Sequence, residues 1–199
     1  RRKADQAWPR QPLYAMRWAD AGSVQALSLP HGVERIEALG NDAVVIGAQG
    51  RDLHFSTIGL GAQAAIATRY IRADAAQGES RSHGFFYKPQ AAGEGVIGLP
   101  ILGADERPGL NKSSASVLYL RNSGLTLTEL GALAARPGQA PDDGCRASCV
   151  DWYGNARPLF LQGQVFALLG YELVEGALRD GQIREVRRIS YAPIAPTVR

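Results

Sequence analysis

Only two cysteines, three histidines and a single methionine occur among the 199 residues, which leaves little material for thiol or soft-metal chemistry. His31, His54 and His83 share no ligand spacing with Cys145 and Cys149. A structural zinc needs four converging ligands, so no metal site and no cofactor are expected. No window approaches the roughly 18 apolar residues of a membrane-spanning helix. Lysine is scarce as well, and Lys plus Arg exceed Asp plus Glu by only 22 to 19. The basic residues are split between "RRK" at the start and "REVRR" (Arg184 to Arg188) near the end. A nucleic-acid module concentrates them on one element, so no nucleic-acid partner is expected and "REVRR" reads as a solvated strand edge, with Arg184 and Val186 on one side and Glu185 and Arg187 on the other.

Reaction signatures are equally thin. No G-x-S-x-G elbow appears, and Ser82 and His83 are chain neighbours whose side chains would leave opposite faces of a strand, so they cannot pair as nucleophile and base. "GAQG" and "GLGAQAA" are glycine-rich, yet strands follow them where a phosphate cradle needs a helix N-terminus. Asp142-Asp143 lacks the regular oxygen donors of a calcium loop and reads as a loop cap. The chain begins with polar "RRKADQAWPRQP", without an initiating Met or an apolar signal region. Processing or an omitted upstream segment accounts for this equally well.

What the sequence does have is short β-rich runs between turn signals. Residues 33–72 break into four, separated at Gly40-Asn41-Asp42, Gln49-Gly50-Arg51-Asp52 and Gly59-Leu60-Gly61. Within them Leu53, Phe55 and Thr57 alternate with His54, Ser56 and Ile58, as a half-buried strand requires. A second group follows at His83–Pro89, Gly95–Leu102, Ser114–Arg121 and Leu125–Ala134, although "LTELGALAA" could turn helical locally. A third comprises "RPLFL", "QVFALLGYEL" and "QIREVRRISYA", and two early runs, "PLYAMRW" and "VQALSLP", hinge at Ala21-Gly22. Trp8 and Trp18 are read as packing residues. The class is all-β, about thirteen strands without a convincing amphipathic helix.

Strands grouped in fours at a period of roughly 40 to 50 residues suggest a β-propeller of four-stranded antiparallel blades, a complete or partial ring, spanning 1–199 as one domain. The three last strands and the early ones would then share a blade and close the ring. A β-sandwich is the runner-up, since it also shows many short strands at regular spacing.

Three stretches, "RIEALGNDAVVIGAQGRDLHFSTIGLG", "GESRSHGFFYKP" with "GVIGLP", and "CRASCVDWYGNARPLFLQGQVFALLGYELVEG", resemble the C-terminal part of bacterial secreted or envelope-associated β-propeller proteins of poorly defined function. The resemblance implies a propeller in an extracytoplasmic setting (periplasmic, outer-membrane-associated or secreted) and carries over no catalytic residue. Such propellers run longer than this chain. Either the ring is small, or further blades come from another segment of the same precursor.

Cys145 and Cys149 would lie about 13 Å apart in an extended chain, far beyond the roughly 4.4–6.8 Å a disulfide permits. Asp142, Asp143, Gly144 and Ser148 favour the curl that would bring them together, so a local disulfide is the first reading, free thiols the second. Its loop would contribute only about 2 kcal/mol. A bridge would place the chain in an oxidising compartment. Trp152 and Tyr153, with Asp151 and Arg157 beside them, offer a platform for a ligand or partner loop; the competing reading packs the aromatics between blades.

Two functions follow. The first is a non-catalytic scaffold that binds a protein partner through rim loops. The second is a secreted polymer-acting hydrolase or lyase with carboxylates from Asp105-Glu106 or Asp142-Asp143.

Overall fold

The computed structural model describes residues 11–103, 116–136 and 156–191. Regular structure there is extended throughout, apart from one 3-10 turn at Ser82–Gly84. β1 (Gln11–Arg17) and β2 (Asp20–Leu29) pair as a hairpin, the first sheet. The second is the up-and-down meander β3 (Arg35–Leu39), β4 (Asp42–Gln49), β5 (Asp52–Leu60) and β6 (Ala64–Arg72).

The third sheet is built around β9 (Glu94–Gly103), which pairs with β10 (Ser116–Ser123) and through it with β11 (Thr126–Ala134). The other edge of β9 is shared by β7 (Ala75–Gln77) and β8 (Phe86–Ala91), two halves of an interrupted strand. The fourth is again a meander: β12 (Arg157–Leu161), β13 (Gln164–Leu169), β14 (Glu172–Arg179) and β15 (Gln182–Ser190). Its turns at Gln162-Gly163 and Asp180-Gly181 have positive φ at both residues. That geometry matches the twist of a two-residue hairpin, and glycine adopts it without strain.

Alternation along each strand gives each sheet apolar faces, and three apolar layers join the four sheets in a row. Leu13, Leu27 and Leu29 of the hairpin pack on Val45 and Ile58 of the second sheet. Val44, Ile46, Leu53 and Phe55 on the opposite face meet Ile97, Leu99, Leu118 and Leu120 of the third. Val117, Tyr119, Leu130 and Leu133 then meet Ala167, Leu169, Val174 and Ile183 of the fourth. The Tyr119 hydroxyl reaches across this last layer to donate to the Phe166 carbonyl at 2.8 Å. Gly98 makes the approach possible, because a Cβ there would meet Pro158 Cβ at 2.3 Å.

The architecture corrects the propeller expectation. The four sheets are discrete, and none is closed or curled into a ring. The reason lies in "QVFALLGYEL", which the turn at Gly170-Tyr171 divides into β13 and β14. The last sheet therefore completes four strands of its own, and the early strands pair only with each other. Four sheets separated by three apolar layers are not a two-layer sandwich either. The expected disulfide falls outside the described residues, as Cys145 and Cys149 both do.

Two local readings change as well. "LTELGALAA" is strand and not helix. In "REVRR" a bulge opposite Glu175 and Gly176 breaks the alternation, pairing Glu185 with Gly176 and Arg187 with Glu175. Arg188 consequently points inward, its side chain only 9% exposed, and binds Glu172 at 2.8 Å and Glu185 at 2.7 Å. Among the described residues no helix is long and apolar enough to cross a membrane.

Candidate interaction surface

The predicted site residues fall largely outside the described residues: Cys145, Cys149, Asp151, Trp152 and Tyr153, together with Asp105, Glu106, Asp142 and Asp143. Arg157 is described. It opens β12 opposite Leu168 and is exposed. Its charge acts on Tyr191, whose phenol is nevertheless raised above its ordinary pKa by burial. That phenol donates to the Gly170 carbonyl at 2.6 Å, and its ring meets Tyr171 edge-on at 6.2 Å.

The hairpin presents what sequence reading did not single out. Leu13 pairs across from Leu27, and both point inward onto the second sheet. Tyr14 pairs across from Ala26, and by the same alternation turns outward with Val24. Tyr14 is 66% exposed, Met16 58% and Trp18, in the connecting turn, 94%. Trp18 was expected to pack, and it does not. Tryptophan is among the most buried residues on average, so a nearly bare indole beside exposed Tyr and Met is the informative deviation from an ordinary surface.

This surface is held firmly from behind. Arg17 donates to the Gly61 carbonyl at 3.3 Å, tying the hairpin tip to the loop before β6. The Ala64 amide donates to the Gln25 side chain at 2.5 Å. Below β2, His31 and the Gly32–Glu34 segment lie against β4, where the Gly32 and Glu34 amides donate to the Ala48 and Ile46 carbonyls at 3.0 and 2.9 Å. A cleft of about 430 Å3 lined by Ser28, Pro30 and Ile66–Arg69 separates β2 from the edge of β6.

One arrangement among the described residues has the form of a nucleophile and its base. His31 Nδ1–H donates to the Gly32 carbonyl at 2.7 Å, which leaves Nε2 to accept from the Ser56 hydroxyl at 2.8 Å. Ser56 and His31 are 25 residues apart, so only the fold could bring them together. Ser56 is fully buried and His31 2% exposed. No substrate carbonyl can approach a hydroxyl sealed under backbone, so the pair serves packing and satisfaction of polar groups and not acyl transfer.

Other buried polar groups form structural nodes. Arg35, 7% exposed, donates to Gln77, Glu37 and the carbonyls of Glu79 and Arg81. Glu79 is clasped by Arg81 and faces His83 at 3.5 Å. Burial raises the Glu79 carboxyl, but the Arg81 bonds outweigh it and hold the group below its ordinary value. Tyr70 donates to Glu129, which also receives Arg72 at 2.8 Å. Burial first, and that bond second, push the Tyr70 phenol up to about 12. These nodes tie neighbouring sheets together. Among the described residues no group of three His, Cys, Asp or Glu is placed to hold a metal ion.

No family model, no curated protein and no solved structure matches this chain. The propeller-family resemblance carried by the quoted stretches is corrected accordingly, since neither a matching family nor a closed ring supports it.

Proposed function

We propose that the chain is a non-catalytic β interaction module that binds a protein partner through the outward face and tip of the β1–β2 hairpin. The observation that carries this reading is the exposure of Trp18, Tyr14 and Met16 together on a hairpin anchored by buried Leu29. Trp and Tyr are the residue types most often found to dominate binding energy, and fully burying such a side chain is worth roughly 1.5–3 kcal/mol. A rigid support matters as much, because little conformational entropy is then lost on docking. Four discrete sheets form no ring whose rim loops could bind, and the hairpin replaces them in this reading. The partner is a protein because the surface is apolar and aromatic, with no cationic cluster for phosphates among the described residues of the hairpin. An extracytoplasmic setting is proposed on the close cysteine pair alone, and fractionation of the producing cell tests it.

The binding test uses the chain in its native host. On a native gel the wild-type chain migrates within a larger complex, and Tyr14→Ser/Met16→Ser/Trp18→Ser migrates alone with an unchanged circular dichroism spectrum. A complex that survives the triple substitution overturns the reading. Turnover on a polysaccharide panel, abolished by Asp142→Asn, would establish the polymer-acting enzyme in its place.

A further inference from the structure

Two imidazoles meet where the hairpin is tied to the second sheet. His31, 2% exposed, follows β2 by two residues, and His54, 7% exposed, projects from β5; their ring centroids are 5.3 Å apart. Both nitrogens of His31 are engaged, by the Gly32 carbonyl and the Ser56 hydroxyl. His54 Nδ1 is buried without a hydrogen-bond partner. Backbone roofs the pair: a Cβ on Gly47, which pairs with His54 across the sheet, would stand 1.8 Å from the Gly32 oxygen.

The surroundings favour two neutral rings. Arg69 on β6 pairs across from Ser56 and acts on both imidazoles as a like charge once they protonate. Acidic groups nearby are Glu34 on the link to β3 and Asp52 on β5. Each is already engaged: Glu34 accepts from the Ala48 amide and Gln77, and Asp52 from the Asp74 amide. From β4 the residues facing the pair are Val45 and Gly47, opposite Ser56 and His54, and the end of β2 contributes Leu29; none carries charge. A proton on His31 Nε2 turns the acceptor of the Ser56 bond into a donor, and a second proton on His54 sets two cations 5.3 Å apart beneath that roof.

We propose that His31 and His54 form an acid-sensitive latch, holding the β1–β2 hairpin and the 30–34 segment on the second sheet while neutral and releasing them when protonated. As regulation of the binding surface the latch rests on the reading of the hairpin given above; as release of the hairpin it is measured without any partner. Burial, ahead of every other cause, lowers both imidazoles below the ordinary 6.5. The docked form therefore binds fewer protons than the released form. Docking is at full strength above about pH 6.5 and weakens as pH falls through that value, until the docked rings themselves titrate. A ring that titrates near 6.5 once released shifts the equilibrium by up to about tenfold per histidine at pH 5.5.

Hydrogen exchange of the full chain between pH 7.5 and 5.0, corrected for intrinsic rates, reads this directly. Protection of β2 and of the Gly32 and Glu34 amides is expected to fall by up to about a hundredfold for the two rings at pH 5.5, while β10 amides keep theirs. His31→Asn/His54→Gln is expected to show a flat profile. Constant protection down to pH 5.0, an equal decline in the double variant, or simultaneous loss from every sheet overturns the latch. Should the double variant fail to fold, the imidazole resonances of the wild-type chain decide: both titrating below the ordinary value supports the latch, and either at or above it refutes it. None of these outcomes depends on whether the hairpin face binds a partner.

Discussion

Replacing Gly47 with alanine strikes the point on which the hairpin's attachment depends. The backbone of Gly47 has ordinary φ, so the cost is steric. The added methyl carbon would lie 1.8 Å from the Gly32 oxygen, 2.6 Å from its carbonyl carbon and 3.3 Å from the Glu34 nitrogen. All three are backbone atoms, which no rotamer change can move aside. Segment 32–34 must lift, giving up the bonds from the Gly32 and Glu34 amides to the Ala48 and Ile46 carbonyls. Overpacking costs about 1–3 kcal/mol, and each backbone bond adds about 1 kcal/mol. The expected loss is then about 3–5 kcal/mol, a large share of the roughly 5–15 kcal/mol that holds a domain folded. Urea unfolding followed by far-ultraviolet circular dichroism measures it, with Gly61→Ala as control, because a Cβ at Gly61 meets nothing within 4 Å. If Gly47→Ala unfolds within 1 kcal/mol of Gly61→Ala, the described crossing of chain over β4 is wrong.

Further predictions concern the layers between the sheets. Arg188→Ala leaves Glu172, 6% exposed at its side chain, buried without its cation, and is expected to cost about 3–5 kcal/mol in urea unfolding. Restoring neutrality with Glu172→Gln in the Arg188→Ala background should recover part of that loss; no recovery would show that the pair is not coupled. Tyr70 holds its proton up to about 12 against an ordinary 10.0. The unfolded chain therefore loses that proton first as pH rises above about 10, stability falls through that window, and Tyr70→Phe should flatten the fall. Gly98→Ala would set a methyl 2.3 Å from Pro158 Cβ and should loosen the fourth sheet from the third, seen as faster hydrogen exchange in β12 and β13.

The strands of the second sheet were legible in the sequence, because Gly40-Asn41 and Gly50-Arg51 punctuate the runs, but the half-buried reading of "LHFSTI" is corrected. Leu53, Phe55 and Thr57 and also His54, Ser56 and Ile58 are buried, since the hairpin covers one face of the sheet and the third sheet the other. The fourth sheet was not legible as four strands. Gly170-Tyr171 sits inside an unbroken apolar stretch, so a turn that needs only one permissive residue left no composition signal. β7 has three residues, too few to show a period. The bulge at Val186 is invisible without the partner strand, and it is what turns Arg188 from a solvated edge residue into a buried ion-pair partner. His31 and Ser56 lie on different strands' worth of chain, and nothing local announces their bond. Trp18 misled in the opposite sense. Its hydrophobicity argues for burial, yet the alternation that buries Leu13 and Leu27 fills the inner face without it.

The claim that the hairpin face binds a partner is tested most directly by photo-crosslinking in the native host. A photoreactive phenylalanine analogue replaces Trp18 in one variant and Asn41, in the exposed β3–β4 turn, in another. Position 18 is predicted to yield one discrete adduct with a second protein, suppressed when Tyr14→Ser/Met16→Ser is added, and position 41 none. Adducts from position 41 with none from position 18 would contradict the account.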